Sequence, residues 1–274
     1  MSAALGRISN WIGSHSLASG LIVDGVRVAL GKPPRHTLTI RSWLARHLEG
    51  DGIEIGALSA PLDLAGNARV SRVQYVDRVR KAELLRLFPE LLPEAVKIRE
   101  PDVLCEVNEG LTAFPDGSLD FVVACHLIEH LPDPIHFLQE SWRVLCPGGR
   151  LFLAVPDRRY TATDLKRELT TLEHLLDDHR RAVRTVEGHH LADFVVADGR
   201  VLPADPRERE RLFANERARS IHVHVWEERT FAPFLEHCIA TWVPFAVKAR
   251  SGPRRNERGE ILYVLEKVTE KRGT

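Results

Sequence analysis

The chain has 274 residues, 44% of them hydrophobic and 28% charged. That is the composition of a globular protein with a core large enough to fold without disulfides, and it excludes a disordered or collagen-like chain. Its 38 basic side chains balance 38 acidic ones, so no overall charge draws it to nucleic acid or to anionic lipid.

The four cysteines, Cys105, Cys125, Cys146 and Cys238, form no C-x-x-C pair. Cys105 and Cys125 stand in apolar runs, as small core residues do in a reducing compartment. No apolar run reaches the roughly 18 residues of a membrane span, and no signal peptide is visible. A cytoplasmic location is expected, with no membrane partner.

Residues 1–48 read as an N-terminal extension, with helical spacing over Thr39–His47 that sets Ile40, Trp43 and Leu44 on one face. Gly52–Gly56 reads as a short strand ending in a glycine turn, and Val70–Val76 as a second strand. Lys81–Phe88 has helical periodicity, which Pro89 ends. A third strand is expected near Asp102–Cys105. Phe121–Cys125 is a continuous apolar run, the mark of a strand buried on both faces. Pro134 suits the first turn of a helix running to Val144. Pro147-Gly148-Gly149 then leads into a strand over Arg150–Val155. This alternation predicts an α/β fold, a Rossmann-like doubly wound sheet with helices on both faces.

Residues 161–220 break the rhythm and read as a helical insertion or cap. Asp164–Arg184 is polar and helix-rich, 189–205 is loop-like, and Pro206–Arg219 is a charged helix. The arginines of that last helix alternate with acids, as on a solvated face rather than a phosphate track. Thr230 is placed to N-cap a helix through Ile239. Trp242–Lys248 and Ile261–Val268 predict an antiparallel pair at the C-terminal edge of an otherwise mostly parallel sheet.

Ligands in such sheets bind beyond the carboxyl ends of strands, so residues just after strands are the first candidates. The first strand ends Glu54-Ile55-Gly56-Ala57-Leu58, where a glycine lets backbone N–H groups approach a ligand. The second ends at Asp77, about 20 residues on, where an acid can hold ribose hydroxyls or simply cap a helix.

Then come Asp120-Phe-Val-Val-Ala-Cys125-His126, Glu129-His130-Leu131 and Arg143-Val-Leu-Cys-Pro-Gly-Gly149. This series resembles the class I methyltransferases that use S-adenosylmethionine. The resemblance is strong over 50–160. Through Val155–Thr161, His222–Trp226 and Asn256–Ile261 it extends to a bacterial subgroup whose first motif is shortened, here Glu54-Ile-Gly-Ala-Leu-Ser-Ala-Pro61. On this reading residues 49–274 are a methyltransferase domain carrying the insertion.

The resemblance implies a role for each matching residue. Gly56, Ala57 and Leu58 present the turn to the amino-acid end of S-adenosylmethionine, with Leu58 and Ala60 where the family usually has glycines. Glu54 orders that turn and complements the cofactor's positive charge. Asp77 binds the ribose hydroxyls, Glu106 and Val107 meet the adenine, and Cys125 and His126 lie beside the sulfonium. His126 is the first choice for a general base, with His222 and His224 next. Asp157 and Tyr160 are candidates for substrate contact, and His189-His190 reads as a surface pair. No metal ligands are assigned.

The acceptor is expected to be a small molecule or a sugar unit, methylated on oxygen, with nitrogen as the runner-up. Two other classes compete. His126-x-x-Glu129-His130 matches an inverted zinc-peptidase motif, or a divalent-ion site within a methyltransferase, but it follows a strand and meets Pro132 and Pro134 at once, which leaves no zinc helix. A non-catalytic binding protein on the same fold is the reading that Leu58 keeps open. A dehydrogenase lacks its G-x-G-x-x-G.

Overall fold

The computed structural model describes residues 37–64, 66–253 and 259–268. Most of the expected N-terminal extension, and residues 254–258 of the C-terminal motif, lie outside the described residues. The strands are β1 (Gly50–Ile55), β2 (Val70–Asp77), β3 (Val103–Leu104), β4 (Leu119–Cys125), β5 (Leu145–Pro156), β6 (Phe245–Ser251) and β7 (Glu260–Lys267). The helices are α1 (Thr37–Ala45), α2 (Lys81–Leu87), α3 (Pro134–Val144), α4 (Leu172–Arg180), α5 (Gly188–Ala197), α6 (Pro206–Arg219) and α7 (Glu228–Thr241).

The strands form one seven-stranded sheet in the order β3-β2-β1-β4-β5-β7-β6. β1 to β5 pair in parallel, and β7 runs antiparallel to both β5 and β6. The expected antiparallel pair is present, with its second strand inserted against β5 so that β6 alone forms the edge.

Period-two alternation divides the core. Phe121 and Val123 of β4 face α1, where they meet Ile40 and Leu44, while Val122 and Ala124 face the opposite layer of α3 and α7. Ile40, Leu44, Ala45 and Leu48, expected within an extension, are therefore part of the core. Gly52 allows β1 to lie this close to β4, since a Cβ there would stand 2.4 Å from the Phe121 carbonyl oxygen.

Several elements depart from expectation for local reasons. Residues 189–197 are helical rather than loop: Leu191 buries against Phe213 and Val223, and Val195, one turn on, is fully buried. Thr230 is the third residue of α7, not its cap. Glu227 caps that helix, and the two side chains form a reciprocal capping box. His222 to Trp226 is irregular chain, held by Val223 and His224 N–H donation to the Glu129 carbonyl at 2.7 and 3.0 Å. Among the described residues no helix is long and apolar enough to cross a membrane.

Candidate active site

β1 turns toward β2 and β4 toward β5, and the divergence of their carboxyl ends opens a cleft of about 1020 Å³. Gly56, Leu58, Asp77, Glu106, Val107 and His126 all line it, brought together from the ends of four strands. Ala57 faces an adjoining recess that shares Leu58 and Asp77.

Gly56 has φ +64°, and no atom lies within 4 Å of where its Cβ would be, so its backbone is open to a ligand. Leu58 adopts φ +48°, a conformation most L residues avoid, and its side chain stands at the cleft edge, 41% exposed. Beneath this turn Glu54 is buried. One of its oxygens accepts from the Leu62 N–H at 2.7 Å and the other has no hydrogen-bond partner. Burial pushes Glu54 up to about 7, against the backbone hydrogen bond and the charges of Arg41 and Arg99.

Asp77 ends β2, where its carboxylate accepts from the Val79 N–H at 3.3 Å. Burial raises its pKa above the usual carboxylate range. Glu106 caps the short turn Val107–Glu109 through the Asn108 N–H at 3.3 Å, which fixes the third strand end.

His126 follows β4 at φ +52°. Its Nε2 is 2.9 Å from Glu260 and its Nδ1 3.4 Å from Glu129. Burial opposes a charge on the ring, yet the two carboxylates outweigh it and raise the pKa to about 9. Near neutral pH the ring already carries its proton. Glu260 is also held by Arg41, at 2.9 and 2.6 Å. This Arg41–Glu260–His126 chain, buried at Arg41 and Glu260 and open at His126, joins α1, β7 and the end of β4, and sequence reasoning missed it. The only hint was an acid opening an otherwise apolar strand.

His130 also lines the cleft. Its Nδ1 donates to the Ile221 carbonyl at 2.9 Å, which leaves Nε2 as the basic nitrogen, 3.9 Å from Glu129. Burial lowers its pKa, against the attraction of Glu129.

The other expected site residues are elsewhere. Cys125 faces α1 on the far side of the sheet, since the next residue takes the cleft side, and burial pushes its thiol to about 12. His222 is bound to Asp164 at 2.6 Å. His224 is buried against Trp226, with Nε2 3.2 Å from the Pro132 carbonyl, and burial lowers its pKa to about 3. Neither histidine lines the cleft. Asp157 is fully buried, accepting from the Glu228 N–H at 3.0 Å and from Arg159 at 2.8 Å, and Tyr160 packs against Gly259. Both are outside the cleft.

The insertion supplies the cleft's opposite wall through Val186, Arg217, Arg219 and Ser220. Arg219 latches it to the end of α2 and the turn beyond by donating to the Leu87 carbonyl at 2.6 Å and pairing with Glu90 at 2.5 Å. At its base the buried Arg167 donates to the His222 and Val223 carbonyls and pairs with Asp164 and Asp193.

The residues present fit an adenosyl cofactor. An open glycine backbone, a strand-end carboxylate and a buried unpaired carboxylate oxygen are the partners that an amino acid, a ribose and an ammonium group require. Comparison with known proteins agrees. Residues 54–153 match the family model described as "Methyltransferase domain". A ubiquinone biosynthesis O-methyltransferase of Xanthomonas oryzae pv. oryzae is 33% identical over 120 residues, 39% of this chain and 50% of that protein. A probable S-adenosylmethionine-dependent methyltransferase of Mycolicibacterium smegmatis is 41% identical over 74 residues, 26% of this chain and 28% of that one. The chain thus spans about half the length, or less, of these curated relatives. A solved methyltransferase of Methanosarcina mazei is a more distant likeness, 19% identical with a TM-score of 0.43 over 83% of this chain and 98% of that one. Residues 54–153 thus match a methyltransferase domain, and the chain is similar to S-adenosylmethionine-dependent methyltransferases.

Proposed function

We propose that the protein methylates an oxygen of a small-molecule acceptor, a sugar unit being one such acceptor. The observation that carries this reading is the meeting of Gly56, Asp77 and Glu106 with His126 and His130 in one cleft. Bound S-adenosylmethionine supplies an electrophilic methyl group. The chain's own residues align it with the acceptor and exclude water. Asp77 accepts from the ribose hydroxyls, Glu106 and Val107 border the adenine, and the Gly56–Leu58 turn and Glu54 receive the amino-acid end.

A hydroxyl acceptor must lose its proton as the new bond forms, so a base within reach is needed. His126 was the first choice by sequence, but it already holds a proton shared with Glu129 and Glu260. We assign the base to His130. Its Nε2 is unprotonated in the tautomer that donates to Ile221, and Glu129 stabilises the imidazolium that results. His126, with its two ring N–H groups turned to Glu260 and Glu129, then adds positive charge beside the acceptor. Methylation of oxygen is supported by the likeness to a protein named a ubiquinone biosynthesis O-methyltransferase, and a small acceptor by the cleft walled by the insertion and by the balanced charge.

The test is transfer of labelled methyl from S-adenosylmethionine to a panel of catechols, hydroxylated quinols and glycosides. Label on an acceptor oxygen supports the reading. Transfer only to amines, or none to any acceptor by a protein that binds the cofactor, contradicts it.

A further inference from the structure

A second cluster of titratable side chains lies between the insertion and the segment that follows it, away from the cleft. His174 and Asp178 are four residues apart on α4 and so share one face of that helix. His224 comes to them from the irregular segment before α7, and His190 from α5. One ligand atom each from His174, Asp178 and His224 lie within 4.8 Å of one another. The His190 ring is 5.0 Å from that of His174 and 5.6 Å from that of His224. The sequence reading made His189-His190 a surface pair, but His190 is only 8% exposed.

Two atoms of this cluster are buried and underused. Asp178 and His224 are each 1% exposed. His224 donates through Nε2 to the Pro132 carbonyl, which leaves Nδ1 with its lone pair free, and that atom makes no hydrogen bond. A backbone carbonyl taking the far N–H is how metal-binding histidines are oriented. Asp178 commits one oxygen to Arg181 at 2.6 Å. The other has His174 Nε2 at 3.1 Å and no well-formed hydrogen bond. A buried carboxylate oxygen without a well-formed hydrogen bond, beside a buried imidazole lone pair, is a pair of donors that a cation would complete.

We propose that the insertion holds a divalent transition-metal ion, zinc by its donor set, between His174, Asp178 and His224, with His190 as the fourth ligand. Neutral imidazoles with one carboxylate suit zinc, whose bonds of about 2.0–2.2 Å require the three atoms to draw together by about an ångström. The ion would fasten α4 and α5 to the segment carrying His222 and Val223, and so brace the wall of the cleft.

The test uses the full-length protein without a histidine tag. It is titrated with zinc chloride by calorimetry, and with cobalt chloride for the visible absorption of a tetrahedral site. One ion per chain is expected. Affinity should fall by about tenfold or more in His174→Ala, a half-exposed position that leaves the fold intact, and likewise in His190→Ala. It should remain within about twofold in His222→Ala, which alters a separate group formed with Glu129 and His130. Wild-type thermal stability should rise with zinc and that of His174→Ala should not. Absence of metal binding, or an affinity that falls as far in His222→Ala as in His174→Ala, overturns the proposal.

Discussion

Replacing Glu260 with glutamine keeps the side chain's shape and removes its charge, with two separable effects. Glu260 is fully buried and accepts two hydrogen bonds from Arg41, which is itself only 7% exposed. Removing one partner of a buried ion pair costs about 3–5 kcal/mol, and since the amide oxygen still accepts from the guanidinium we expect about 3. The second effect is on His126, whose pKa of about 9 depends on Glu260 and Glu129. A rise of that size above 6.5 is worth about 3 kcal/mol in a dry site. The ring is 41% exposed, so screening leaves about 1–2 kcal/mol. The folded pKa is the higher one. This stabilisation is therefore complete below about pH 6.5 and lost as pH rises through 9. In the variant His126 keeps only Glu129, its pKa falls, and stability changes less over that window. Urea unfolding at about pH 6 and pH 9.5, with the His126 ring followed by NMR, measures both. A loss under about 1 kcal/mol at the lower pH, with the wild-type pH slope retained, would refute the coupling.

Other substitutions probe other links. Glu54, at about pKa 7, is half protonated at neutral pH, so arrival of a cationic amino group should ionise it. Calorimetry of S-adenosylhomocysteine binding in buffers of different ionisation enthalpy should show release of about half a proton at pH 7, absent in Glu54→Gln; equal release by both would exclude Glu54 as its source. His130→Ala should lower kcat by about 10²–10⁴ with cofactor affinity nearly unchanged, and an unaffected kcat would remove His130 as the base. Gly52→Ala forces a Cβ to 2.4 Å from the Phe121 carbonyl oxygen and should cost about 3 kcal/mol or more in denaturation, whereas a neutral result would mean β1 and β4 are not so closely packed.

The parts of the site legible in the sequence are those fixed by local rules. The apolar run before His126 and the proline opening α3 locate β4 and its helix, and α3 spans Pro134–Val144 as the proline and the Pro-Gly-Gly stop predict. Gly56, Asp77 and Glu106 were legible because each ends or follows a strand, and strand ends converge in this fold. What escaped depends on distant chain. Glu260 is 134 residues from His126, and no local pattern pairs them. Cys125 ends β4 on the α1 face, and the chain turns at His126 so that only the latter lines the cleft. His222 and His224 were read as an alternating extended pair. The segment is irregular, and its two rings go to different partners, Asp164 and Pro132. The helix over 188–197 was hidden because its buried residues are few, and their partners come from α6 and the segment beyond it.

The central claim is that the cleft between β1 and β4 holds S-adenosylmethionine. Calorimetric titration with S-adenosylhomocysteine, beside a folded Asp77→Ala variant, tests it most directly. The account predicts one site of about micromolar affinity, weakened about a hundredfold or more in the variant. No binding at about millimolar ligand, or equal binding by both proteins, would contradict it.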